Sequence, residues 1–189
     1  GIRRIEAVTG LGAAHLMLDS ISTLEGAASL LGAPPRELPR RIHALQADLQ
    51  AVRRQASDLR RELAVSDFEN KLGHLTQVDG IPVLSAAIRH ANTETLRELA
   101  DRFRDRNKSG VVALGAIVDD KPQLIVAVTD DLTQRGIHAG KIIGEVARLV
   151  GGGGGGRPNM AQAGGKDPSR LDEALGRVPE LIRQALNQA

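Results

Sequence analysis

The clearest order in this chain is a narrow stripe of apolar residues in its first half. Leu38, Ile42, Leu45, Leu49, Val52, Ala56, Leu59 and Leu63 are separated by 4, 3, 4, 3, 4, 3 and 4 residues. Steps alternating between three and four hold side chains on one seam of an α-helix, the spacing a two-helix supercoil needs. The pattern predicts a helix from about residue 37 to 72, roughly 50 Å long at about 1.5 Å per residue. Pro39 fits such a helix only in its first turn, where its missing N–H loses no partner. The seam slips out of phase near Ser66, although Phe68, Leu72 and Leu75 prolong an apolar stripe. Two partners fit the seam: the preceding helix folded back as a hairpin, or a second copy of the chain. A strict a/d stripe is narrower than a globular core face, which favours the second. Leu38, Ile42, Leu45, Leu49, Val52, Leu59 and Leu63 are therefore the expected dimerisation residues.

The flanking segments read differently. Residues 1–9 alternate loosely with β-branched members and predict one short strand, whose partners would lie outside this chain since a lone strand is unstable. Residues 13–31 are helical in period and stop near Gly32, before Pro34-Pro35. Beyond Gly73 the pattern predicts an interrupted strand at 78–84 and a helix capped by Asn92 or Thr93, with Leu96, Leu99 and Phe103 inward. An antiparallel hairpin of 111–118 and 124–129 follows, joined by 119–123. A helix carrying Ile142, Val146 and Leu149 precedes six glycines, and Asp167-Pro168 caps a final helix that Gly176 and Pro179 kink or split. The expected architecture is α/β: a remnant strand over 1–12, a long coiled-coil-like helical arm over 13–74, and a small globular α/β domain over 75–189. That domain holds a mixed sheet flanked by helices, with the glycines as a loop.

Composition narrows the function. Two Phe, no Tyr and no Trp leave an aliphatic core and exclude the aromatic stacking platforms of many single-strand binders. The formal charge of +2 permits nucleic-acid binding without arguing for it. Within 36–62 there are seven Arg (36, 40, 41, 53, 54, 60, 61) against four acids (37, 48, 58, 62), a local +3 that reads equally as a solvated helix face. With no cysteine there is no disulfide, thiolate metal site or Cys nucleophile. Histidines at 15, 43, 74, 90 and 138 are too scattered for a helical ligand pair, so neither a metal site nor a catalytic residue is expected. The longest apolar run is too short to span a membrane. The chain opens on Gly1 without a charged-then-apolar leader and reads as an excised or processed piece.

The glycine tract Gly151–Gly156 matches G-x-G-x-x-G only because six glycines match any glycine spacing, and it follows a predicted helix where a dinucleotide fold needs a strand. Arg157-Pro158 stands where a P-loop needs Lys and Ser or Thr. A flexible linker is the plain alternative, but Arg157, Asn159, Gln162 and Lys166 follow at once. Glycines let a polyanion approach the backbone closely and expose its amide donors.

Two segments resemble alanyl-tRNA synthetases. Ile2-Arg-Arg-Ile-Glu-Ala-Val-Thr-Gly10 is similar to the chain just after that family's zinc-bearing editing motif. Gly151 through Gly165, with Arg157-Pro-Asn-Met-Ala-Gln-Ala between the glycine runs, is similar to the signature of its C-terminal domain. The order agrees with the family: editing-domain exit, helical arm, globular domain. The resemblance implies a C-terminal fragment of an ATP-dependent alanine–tRNA ligase, cytoplasmic and homodimeric. The fragment would carry no catalytic residue and no cofactor, ATP and zinc belonging to domains upstream. It implies contact with the outer corner of alanine tRNA and coupling of aminoacylation with editing. Carried onto this sequence, the tRNA surface is Gly151, Gly152, Gly153, Gly154, Gly155, Gly156, Arg157, Asn159, Gln162 and Lys166, with Lys141 and Arg148 from the preceding helix. Two alternatives stand beside it. One is a purely structural dimerisation module. The other is the substrate domain of an Asp-His-His phosphoesterase, a class that carries His shortly after the glycines, where this chain has Arg157.

Overall fold

The computed structural model describes residues 3–187. The chain forms two compact units, Gly1–Ala56 and Ser57–Ala189. The globular unit thus begins earlier than the boundary expected at residue 75, because the last turns of the long helix pack into its core. Among the described residues no helix is long and apolar enough to cross a membrane.

In the first unit, residues 3–9 form no strand, since none of the described residues offers them a ladder to join. This corrects the expected strand over 1–9; residues 1 and 2 lie outside the described part. Helix α1 (Gly10–Leu30) starts three residues earlier than its periodicity suggested. It stops where predicted: Gly32 turns left-handed (φ +58°) and the Ala33 N–H reaches back to the Ala28 carbonyl. A 3-10 turn, Pro35–Glu37, leads into α2 (Leu38–Leu72). Within this unit α1 leaves the seam bare from Ile42 on, so the hairpin partner is not realised there, whereas Leu38, expected among the dimerisation residues, is buried at 7% exposure. Ile42, Leu45, Leu49 and Val52 stay 40–62% exposed.

The second unit is built on a six-stranded mixed sheet, β1 (Thr76–Val78), β2 (Ile81–Ala87), β3 (Val111–Val118), β4 (Lys121–Val128), β5 (Gly153–Gly156) and β6 (Met160–Gly164). Spatial order is β1-β2-β3-β4-β6-β5, with β2 and β3 parallel and every other pair antiparallel. The expected strand over 78–84 is interrupted, as predicted: Asp79 and Gly80, both at positive φ, make a two-residue turn between β1 and β2. Asp119 and Asp120 do the same between β3 and β4, so the link expected over 119–123 shrinks to two residues. Paired positive-φ residues are the turn geometry that matches strand twist. Helix α3 (Thr93–Arg106) is capped by the Asn92 side chain, which accepts from the Thr95 N–H at 2.7 Å.

Strand residues alternate between two cores. On one face Leu84, Val112, Leu114, Ile125 and Ala127 meet α3 and the end of α2 through Leu96, Leu99, Phe103, Ala64 and Phe68. On the other, Val83, Ala113, Leu124, Val126 and Ala163 meet α5 (Ala139–Leu149), α6 (Leu171–Gly176) and α7 (Val178–Asn187). A short α4 (Asp130–Gln134) precedes α5. The final helix is split at Arg177, between the residues expected to break it.

Candidate nucleic-acid interface

Four of the six glycines, Gly153–Gly156, form a strand, not the loop expected from the tract's composition. Glycine has little intrinsic preference for a strand, so tertiary pairing imposes this one. Gly153 to Gly156 run antiparallel to Gly164 to Ala161 of β6 and form an edge of the sheet. Gly151 (φ +65°) ends α5, its N–H bonding the Arg148 carbonyl while the Gly152 N–H bonds that of Ala147. A Cβ at Gly152 would lie 1.8 Å from the Gly164 carbonyl oxygen. One at Gly154 would lie 2.3 Å from the Ala163 Cβ, and one at Gly156 2.6 Å from the Ala161 Cα. These three positions have no room for a side chain. Gly153 and Gly155 differ, for a Cβ on either would meet nothing within 4 Å. The close packing of this region explains half the tract and leaves two bare positions unexplained.

A cleft of about 410 Å³ opens beside Gly155. Gly155, Gly156, Arg157, Asn159 and Gln162 line it from the β5–β6 hairpin, and Arg97, Asp101 and Arg104 line it from α3. The hairpin is closed by the Arg157 N–H on the Met160 carbonyl at 2.9 Å, and the Asn159 carbonyl accepts from the Val128 N–H. Both bonds hold the side chains of the turn at the cleft's mouth. Arg97, Asp101 and Arg104 follow at i, i+4 and i+7, so they share the solvent edge of a helix whose opposite face is apolar. The rotation of α3 is fixed from its far side. Arg61 donates to Glu98 (Nε at 2.9 Å), and Arg106 donates to both Glu69 oxygens at 2.7 and 2.8 Å.

The charges in the cleft are poorly neutralised. Arg97 and Arg157 take part in no ion pair among the described residues. Arg104 lies 3.5 Å from Asp101 and 3.7 Å from Asp130, and its buried Nε has no hydrogen-bond partner.

Of the residues expected from sequence, the cleft gathers Gly155, Gly156, Arg157, Asn159 and Gln162. Gly151, Gly152, Gly153 and Gly154 precede it along the chain. Lys141 lines a separate cavity of about 140 Å³ with His138 and Gln184, and Arg148 is paired with Glu145 at 2.6 Å. Lys166 is exposed, with Asp167 beside it. The Ser169 hydroxyl bond to Asp167 outweighs desolvation and holds that carboxyl below the usual range. Arg97, Asp101 and Arg104 escaped the sequence reading. A helical wheel of α3 places them on one face, but only the fold shows that this face looks onto β5. Among the described residues no group of three or more His, Asp or Glu is arranged to hold a metal.

Residues 80–184 match the DHHA1 domain family model. The chain is 41% identical over 182 residues to an alanine–tRNA ligase of Desulforamulus reducens, covering 96% of this chain and 21% of that protein. It is 43% identical over 183 residues to the Geobacillus kaustophilus enzyme, covering 97% and 21%. It therefore spans about a fifth of the length of the curated relatives it matches. The solved C-Ala domain of Aquifex aeolicus alanyl-tRNA synthetase superposes with a TM-score of 0.54 at 31% identity, covering 58% of this chain and 97% of that domain.

Proposed function

We infer, because this chain belongs to the DHHA1 domain family and to the C-terminal domains of alanyl-tRNA synthetases, that it docks a folded tRNA for a ligase joining alanine to it at the expense of ATP. The chemistry belongs to the whole ligase, and this region contributes binding. The observation that carries the reading is the cleft beside β5. There a strand without side chains stands opposite guanidinium groups that lack adequate anionic partners. Arg157 supplies a bidentate fork for phosphate, and Asn159 and Gln162 supply donors and acceptors for ribose or base edges. A folded RNA is far larger than the cleft, and its footprint extends over Gly151–Gly154, Lys166, Lys141 and Arg148. Without aromatics at the site, recognition goes by shape, phosphate and 2′-OH contacts. Held at the outer corner of the tRNA, the domain would help present one molecule to both acylation and editing centres. The bare seam of α2 favours a second role in the same protein, joining two copies into a homodimer.

Binding across a salt series to folded alanine tRNA, and to an unstructured RNA of equal length, tests the docking role. Folded tRNA binds more tightly, and Arg157→Ala with Lys166→Ala flattens the log–log salt slope by about two, one for each phosphate left without its cation. Equal affinity for both RNAs, or an unchanged slope in the variant, would sink it.

A further inference from the structure

Helix α3 carries an arginine, Arg104, with a buried donor that has no hydrogen-bond partner. Other arginines of the unit are engaged to different degrees: Arg106 Nη1 donates to both Glu69 oxygens at 2.7 and 2.8 Å, Arg170 forks onto Glu173 at 2.9 and 2.9 Å, and Arg102 has acids only at 3.6 and 3.8 Å. Arg104 makes no such fork. Its nearest acids stand at 3.5 and 3.7 Å, beyond ordinary hydrogen-bond length, and the buried Nε donates to nothing. A buried donor left unmade is costly to a fold unless something else completes it. Arg97 lies two turns away on the same face, about 10 Å along the axis, and is exposed without an ion pair among the described residues. Across the cleft the position of Gly155 is bare, as is that of Gly153 just before it on β5, so a chain of anions can come against the backbone there.

We propose that one RNA phosphodiester seats between α3 and β5, gripped by Arg97 and Arg104, and that Asp101 shields the Arg104 fork until the phosphate displaces it. The inference rests on the docking reading and names the chemical group that fills the site. Guanidinium groups beside a bare strand favour an anion over a neutral base, and an RNA backbone presents its phosphates in series, which a lone carboxylate does not. Asp101 gives the site a threshold: it weakens every polyanion equally, so only an RNA that also fits the hairpin displaces it.

The test uses the 189-residue chain and folded alanine tRNA, with affinity read across a salt series and helix content checked by circular dichroism. Arg104→Ala binds roughly tenfold more weakly, as removal of a charge-assisted bidentate bond implies, and flattens the salt slope by about one. Arg104→Lys keeps the slope yet loses several-fold in affinity, because an ammonium cannot reproduce the planar fork. Asp101→Asn binds several-fold more tightly, a gain no misfolded variant can produce. Asp172→Asn, the same charge change on the opposite face of the sheet, leaves affinity within about twofold. The proposal is overturned if Arg104→Ala leaves affinity and slope unchanged, or if Asp101→Asn gains no more than Asp172→Asn. If the Arg157 and Lys166 double variant weakens binding while these do not, only the phosphate seat fails. If the unaltered chain binds no folded tRNA even at low salt, the docking reading fails with it.

Discussion

Gly154 and Gly155 are adjacent, identical in type and opposite in meaning. A methyl group on Gly154 would sit 2.3 Å from both the Ala163 Cβ and the Gln162 carbonyl oxygen, and neither is the end of a flexible side chain. Gly154→Ala therefore forces β5 away from β6 and lowers stability by about 1–3 kcal/mol, the range for overpacking. A methyl group on Gly155 meets nothing. Its backbone φ needs no glycine, so Gly155→Ala leaves thermal stability unchanged or raises it by about 0.4–1 kcal/mol through a less mobile unfolded chain. The same methyl obstructs the RNA ribbon, and affinity for folded tRNA falls. Thermal melts and binding isotherms on the two variants separate packing from contact. A Gly155→Ala chain that binds as well as its parent would show that the bare strand touches no RNA. The tract and its polar neighbours, Arg157, Asn159 and Gln162, were legible in the sequence, but this alternation was not. Period-two demands are invisible in a run of one residue type, and the clash partners lie on β6. Arg97, Asp101 and Arg104 were hidden for a related reason: they converge on the hairpin from about sixty residues upstream, and a charged helix face looks the same whether it borders solvent or a cleft.

At the scale of elements, the phase slip near Ser66 has a physical explanation in the second unit. From Ile42 to Leu63 the apolar stripe follows the exposed seam, whereas Ala64 and Phe68 are fully buried against the core shared with α3. The helix runs on unbroken while its burden of burial moves to another face, so periodicity was legible and its purpose was not. Asp67 secures the same turns. Its half-buried carboxylate accepts from Lys71 Nζ at 2.7 Å and from the Arg89 N–H at 3.0 Å, tying α2 to the end of β2. Desolvation pushes its pKa up, but the bonds from Lys71 and Arg89 together outweigh that and hold it below the usual carboxylate range. A carboxyl whose folded pKa is depressed stabilises the fold above its unfolded value, near 4. That contribution disappears as pH falls through the folded value. Asp67→Asn should lower stability by roughly 1–2 kcal/mol at neutral pH. Below about pH 4 the gap between the two proteins should close. Denaturant titrations at pH 7 and pH 3 check this, and a gap that stays constant would assign the effect to packing instead of charge. The glycine strand teaches the converse lesson: propensity favoured a loop there, and pairing with β6 overrode it.

For the whole molecule, the two proposed roles fall on two surfaces with different physics. The seam of α2 leaves Leu49 and Val52 half exposed or more within a unit whose own helix α1 does not cover them. The cleft lies entirely within residues of the globular unit. Apolar side chains at a/d spacing lose their exposed area only by meeting a matching helix, and a second copy carries the matching pattern at equal concentration. Leu49→Asp places a charge at the middle of that seam while leaving an exposed helical residue that the monomer tolerates. It should convert a dimer to a monomer in sedimentation equilibrium, with helix content retained. Because the charge lies outside the cleft, affinity for folded tRNA per chain should stay within about twofold. The Arg157 and Lys166 double variant should do the reverse, remaining dimeric while binding RNA poorly. If Leu49→Asp leaves the oligomeric state untouched, the seam is not what joins the subunits. If it abolishes RNA binding as well, the cleft is incomplete in one chain and the tRNA needs both copies to hold it.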